Sequence, residues 1–361
     1  MRRVVSPKPP AMALQEAMLE EFRVVFLKKV APMVWWRLGL GQTGLVARCK
    51  RWAYAPLAYT LDRRRNFFRS VFTLLAAPRD ITAEVSAELA ASIEIAWSCA
   101  LILDDLFDQS DEREGASPAY RVFGVLHSLL AVALALGHLA IRFFVTMPGP
   151  PRIRAARAVF SLKCTLRCMA TQLPGREPRS LKKYAGHARD VNISHHWALL
   201  ASLAGRKEYE RAAARLIYAN HMTVAGKMRN DLLDYFGGSS ERESQFDDFR
   251  ARRSSFPTMI LEASEINWRD RQRLTDHFRG AVEMEAGEIL DMFQRYAVGQ
   301  ECIKSITTEL CKARAALLRM TELGESAQLT DTLSRWTDFV EDVCRERIDH
   351  HERLFQNASD V

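Results

Sequence analysis

Two short stretches of this chain gather carboxylates in a pattern that simple side-chain solvation does not call for. The first is Ala100-Leu-Ile-Leu-Asp104-Asp105-Leu-Phe-Asp108. On a helix Asp104 and Asp108, four residues apart, share one face, and Asp105 stands about 100° around the axis. From Ile93 to Leu103 the chain is apolar or small except for Glu94 and Ser98. Three carboxylates at the end of such a helix repel one another and resist desolvation. A hard cation relieves both costs, and Mg²⁺ commonly takes one or two carboxylates together with substrate phosphates. The second stretch, Lys227-Met-Arg229-Asn230-Asp231-Leu-Leu-Asp234-Tyr-Phe-Gly237, repeats the spacing with Asn230 in the leading position. Basic residues flank both: Arg113 after the first, Lys227 and Arg229 within the second, Arg252 and Arg253 beyond it. Guanidinium groups suit diphosphate because their fork donates paired hydrogen bonds. Two such clusters facing each other across a cavity make a site for several metal ions and a polyanion.

The elements that carry these residues read as helices. The 361 residues are 48% hydrophobic and 26% charged, an ordinary globular composition. Strand-like alternation is scarce, and glycine and proline cluster at breaks near 38–44, 77–79, 110–118, 147–152, 174–178 and 237–240. Neither internal repeats nor low-complexity linkers occur. The pattern predicts one all-α domain over residues 16–361 after a disordered basic, proline-rich segment at 1–15. That segment has no apolar core of a signal peptide. The longest apolar run, Val122 to Ile141, is interrupted by His127, Ser128 and His138 and bracketed by Arg121 and Arg142. It reads as a buried bundle helix with neighbours on every side rather than a transmembrane span. The net charge of +7 comes with scattered arginines and no groove-reading motif, so no nucleic-acid partner is expected. Seven dispersed cysteines, an odd number, fit a reducing compartment, and a cytoplasmic location is expected. Cys164 and Cys168 lack a zinc-completing set and read as small buried residues.

With both acidic stretches in view, the sequence resembles the trans-isoprenyl diphosphate synthases, which include farnesyl and geranylgeranyl diphosphate synthases. The resemblance covers about residues 60–350. It rests on Leu101 to Gly115, similar to the first aspartate-rich motif with its following Arg-Arg-Gly, and on Asn230 to Gly237, similar to the second. Arg253-Ser-Ser-Phe-Pro257 is similar to a Lys-x-Thr-x-Pro segment, and Phe339 to Arg347 also resembles the family. The resemblance implies an isoprenoid synthase-type helical bundle with a deep central cavity, a homodimer and three Mg²⁺ ions. It implies a catalytic set of Asp104, Asp105, Asp108, Asn230, Asp231 and Asp234. Among these, Asp104 and Asp108 would hold two metals, and Asn230 with Asp234 the third. Arg113, Arg229, Arg253 and Lys227 would bind the substrate diphosphate.

Departures cluster where the family binds its second substrate, isopentenyl diphosphate. The family's Gly-Gly-Lys-Arg-x-Arg-Pro aligns with Arg64 to Ser70, with Asn66 and Phe67 replacing two basic residues and Arg69 surviving. Trp97 stands at a His or Gln position, and Glu114 replaces the second arginine of Arg-Arg-Gly. Aromatic walls stabilise carbocations, and a dry pocket keeps water away from them. The expected function is therefore a Mg²⁺-dependent class I terpene synthase on a prenyltransferase scaffold. It would ionise farnesyl, geranylgeranyl or longer diphosphate and cyclise the cation. Trp97, Cys99, Ala100, Phe67 and Phe107 would line its hydrocarbon pocket, the small Cys99 and Ala100 leaving it deep. Alternatives are a chain-elongating prenyl diphosphate synthase, a prenyltransferase with another acceptor, and an inactive partner subunit. The intact acidic cluster speaks against the last.

Overall fold

The protein is described from a computed structural model over residues 20, 23–38, 42–63, 67–78, 81–112, 115–171, 178, 180–191, 205, 208–237 and 246–359. The predicted disordered segment 1–15 lies outside these residues, as do Arg113, Glu114 and residues 64–66. The fold is all-α. The chain divides into two compact units, one of residues 17–176 and 189–216, the other including 177–188 and 217–361.

In chain order the helices are α1 (Ala31–Arg37), α2 (Leu45–Ala53), α3 (Ala55–Arg63), α4 (Phe68–Leu75), α5 (Ala83–Phe107), α6 (Ala119–Phe123), α7 (Val125–Thr146) and α8 (Pro151–Thr171). They continue with α9 (Leu181–Val191), α10 (Tyr209–Phe236), α11 (Asp247–Arg250), α12 (Phe256–Ala263), α13 (Trp268–Phe278), α14 (Ala286–Arg295), α15 (Val298–Glu322) and α16 (Ala327–Ser359).

The first unit is built around α5, which packs against α1, α3, α4, α6, α7 and α8. Its start is fixed by Thr82, whose hydroxyl accepts from the Val85 amide at 3.3 Å, with Glu84 favourably placed in the first turn. A helix surrounded this way must bury its polar side chains with partners. Ser86, Ser92 and Ser98 each donate to the carbonyl four residues earlier. The Glu94 carboxylate accepts from the Ser70 amide at 3.1 Å and so closes the first turn of α4. Glu88 is clasped by Arg37 of α1 and by Arg142 of α7, whose Nε and Nη2 donate at 3.0 and 3.2 Å. The Arg37 guanidinium is held down to about 9 by burial and by neighbouring Arg142.

The apolar run at 122–141 corrects its sequence reading in two ways. It is broken at Gly124, whose φ of +84° only glycine adopts without strain, so α7 begins at Val125. The helix is also not enclosed. Only 28% of its most apolar window is buried, against 83% for α5, and both are long and apolar enough to cross a membrane. Ser128, Ala131, Val132, Ala135, Leu139 and Phe143 face the core, while Leu126, Leu130, Leu134, Ile141 and Val145 are exposed.

In the second unit α15 and α16 pack along one another, with α12 and α14 against α15. Tyr218 of α10 donates to the Leu333 carbonyl of α16 at 2.8 Å.

Candidate active site

The first acidic motif is the C-terminal end of α5. Asp104 is half-buried, Asp105 is 2% exposed and Asp108, the residue that caps the helix, is exposed. The Asp108 amide still donates to the Asp104 carbonyl at 2.9 Å, so the two carboxylates remain one helical turn apart on one face. The turn that follows is pinned from outside. Tyr120 donates to the Ser110 carbonyl at 2.9 Å and Tyr59 to the Ser117 carbonyl at 2.8 Å. Arg113, expected to bind diphosphate from this loop, and Glu114 lie outside the described residues.

In the same unit, Arg69 of α4 lies over the Trp97 indole, 3.6 Å from the ring centroid. Such a stack helps hold a cation in place. Burial pushes the Cys168 thiol up to about 12, and Arg69, Asp104 and Asp190 are all near enough to act on it. The surviving arginine and the leading aspartate both act on this thiol within the first unit. The remaining residues expected to line a hydrocarbon pocket divide. Phe67 is buried and stacks on Phe26 at 3.8 Å between centroids, while Cys99 and Ala100 are core residues and Phe107 is exposed.

The second acidic motif is the end of α10, and its acids are engaged differently. Asp231 is 4% exposed and receives three donors: Lys227 Nζ at 2.5 Å, Tyr184 Oη at 2.8 Å and the Phe256 amide at 3.1 Å. Phe256 is the first residue of α12, so Asp231 caps that helix from a distance, satisfying an amide no intrahelical carbonyl can reach. Burial, with Asp231 adjacent, pushes the Tyr184 phenol well above its ordinary value and keeps it a donor. The cap is completed locally by Thr258, which accepts from the Ser255 amide at 2.9 Å, and by Pro257 in the first turn. Asp234 is 2% exposed, whereas Asn230 is exposed. Arg253 lies 3.3 Å from Asp248, and Arg229 stands 5.0 Å from the centroid of Phe339 of α16. Sequence reasoning missed Tyr184. It lies 47 residues before its partner, and no local spacing reveals the pair.

Among the described residues, no three or more His, Cys, Asp or Glu side chains converge on a point that would hold a metal ion. Mg²⁺ does not require such a cage, since one or two carboxylates with substrate phosphates and water complete its shell. Asp104 and Asp108 fit that demand at the open end of α5. The second motif presents a neutral amide outward and keeps both acids buried.

Among curated proteins, none matches the chain by sequence. Solved structures match its fold over nearly its full length. The decaprenyl diphosphate synthase from Rhodobacter capsulatus is 18% identical, with a TM-score of 0.69 over 93% of this chain and 99% of that one. The Caulobacter crescentus CB15 polyprenyl synthase complexed with calcium and isoprenyl diphosphate is 18% identical, with a TM-score of 0.66 over 90% and 97%. The geranylgeranyl pyrophosphate synthetase from Pyrococcus horikoshii Ot3 is 15% identical, with a TM-score of 0.66 over 91% and 98%. The family model for polyprenyl synthetase matches residues 50–296, more than half the chain and a span that includes both acidic motifs. With Asp104 and Asp108 at the end of a buried helix, and with the match running through both motifs, the chain belongs to the polyprenyl synthetase family.

Proposed function

We propose that this protein is a chain-elongating prenyl diphosphate synthase, which joins an allylic prenyl diphosphate to isopentenyl diphosphate. The observation that carries this reading is the pair of carboxylates Asp104 and Asp108, one helical turn apart at the end of α5, in the same unit as the Arg69 guanidinium stacked on Trp97. The family match and the activities for which the structural neighbours are named support elongation over the cyclising reading that the sequence departures favour. The replaced residues weigh less than they do in the sequence. Trp97 stacks beneath Arg69, and Phe67 packs on Phe26 in the core.

In this reading Asp104 and Asp108 would hold Mg²⁺, which would supply Lewis-acid stabilisation of the leaving diphosphate. Arg69, fixed by the indole, meets the phosphates of the second substrate, and Trp97 shields that neighbourhood from water. The exposed apolar face of α7 supports a homodimer in which a second copy covers it.

The test is product analysis. Purified protein is incubated with Mg²⁺ and geranyl, farnesyl or geranylgeranyl diphosphate, each with and without labelled isopentenyl diphosphate. A longer diphosphate carrying the label is expected. Hydrocarbon or alcohol formed without the label would replace this reading with the cyclising one.

A further inference from the structure

The two acidic motifs look alike in sequence, yet their carboxylates are in opposite situations. In the first, the acids that share a helix face are half-buried and exposed. In the second, both acids are buried, and Asp231 is already paired with an ammonium. Asp231 takes an ammonium on Oδ1, and a phenol and a helix-start amide on Oδ2. A carboxylate with those three donors has given its strong acceptor positions to the protein.

The outward position is Asn230, whose amide oxygen carries no charge. Lys227 stands one turn before it on the same face, with three quarters of its side chain covered and its ammonium fixed on Asp231. A divalent ion at Asn230 would meet one neutral oxygen and a nearby positive charge. Reaching Asp231 would require displacing Lys227, Tyr184 and the amide that starts α12.

We infer that the second motif holds no metal ion, because Lys227 occupies the electrostatic place of one. The enzyme then binds its diphosphate substrate with the ions of the first motif alone, two rather than three. The built-in ammonium is always present, so positive charge at the second motif does not depend on Mg²⁺ concentration. This inference rests on the prenyl diphosphate reading for the identity of the ligand, but its structural content concerns only Lys227, Asn230, Asp231 and their neighbours.

The test counts ions. Mn²⁺ bound per chain is measured by electron paramagnetic resonance in the presence of farnesyl thiolodiphosphate, an analogue that does not ionise readily. The native protein is expected to bind two. Asp104→Asn with Asp108→Asn should lose both, and Asn230→Ala should lose none. The double variant Lys227→Gln, Asn230→Asp removes the ammonium and supplies a carboxylate, and should raise the count to three. Three ions on the native protein, or loss of one in Asn230→Ala, would overturn the inference. No bound ion at all would remove the metal reading of the first motif while leaving Asn230 without one, so the two failures are told apart.

Discussion

Asp104 and Asp231 carry the same side chain in nearly the same local pattern, and their surroundings give them different work. Asp104 is half-buried one turn before the exposed Asp108, and like charges at that spacing repel. Asp231 holds Lys227, Tyr184 and the start of α12 together, so truncating it strands three donors, two of them buried. Asp104→Ala with Asp108→Ala should therefore abolish turnover while destabilising the fold less than Asp231→Ala does. Asp231→Ala should cost roughly 3–5 kcal/mol in stability, as expected when one partner of a buried charged network is removed. Urea denaturation followed by circular dichroism, run beside the activity assay, separates the two. Equal destabilisation would mean that the motifs are not divided into a binding one and a structural one. The sequence showed where acids lie and which share a face, because helical spacing is local. It could not show which acids were already satisfied, because Tyr184 and Phe256 come from 47 residues upstream and 25 downstream of Asp231. The pairing of Lys227 with Asp231 at i, i+4 was the one local signal that this carboxylate had a protein partner.

At the scale of elements, helix ends were legible wherever glycine and proline mark them, and less so where a single residue does the work. Gly124 breaks an apolar run that reads as continuous, and only its positive φ reveals why. Two of the polar residues that interrupt or bracket that run make defined contacts in the structure. Arg142 reaches Glu88 across to α5, and His138 packs edge-on to Tyr54 at 6.4 Å. Burial, followed by the charges of Arg37, Arg142 and Lys50, holds the His138 imidazole down to about 4, against an ordinary value of 6.5. The sign of the consequence follows. Below 6.5 the unfolded chain binds a proton that the folded protein refuses, so stability falls as pH drops from 6.5 toward 4 and is unaffected above 6.5. The window from 6.5 to 5 isolates this effect from most carboxylates. Across it the melting temperature of the native protein should fall by a few degrees, and that of His138→Gln should fall less. Parallel curves would show that His138 takes up its proton in the folded state.

For the whole molecule, the question is what covers α7. Its exposed residues Leu126, Leu130, Leu134, Ile141 and Val145 recur at spacings of four and seven, a stripe along one face. Ile153, Val159, Phe160 and Leu166 of the adjacent α8 are exposed as well. Contiguous apolar surface of this kind seldom stays in water on a monomer. The sequence revealed that this helix is apolar nearly all round but assigned its neighbours to its own chain. Hydropathy does not say whose atoms do the covering. The inner face is committed to α5 through Arg142 and Glu88, so a membrane-crossing orientation would have to break that buried pair or carry it into lipid. A second copy needs no such rearrangement, because it meets only the stripe. Sedimentation equilibrium should accordingly give twice the chain mass for the native protein. Leu130→Glu with Leu134→Glu should give a monomer, because a two-fold interface sets each substituted side chain against its symmetry-related face. The variant should keep native helical content, since neither position is buried within the chain. A native protein that sediments as a monomer and floats with lipid vesicles would instead assign the stripe to a membrane surface. In that case the first unit would be an interfacial enzyme domain, with α7 lying along the bilayer.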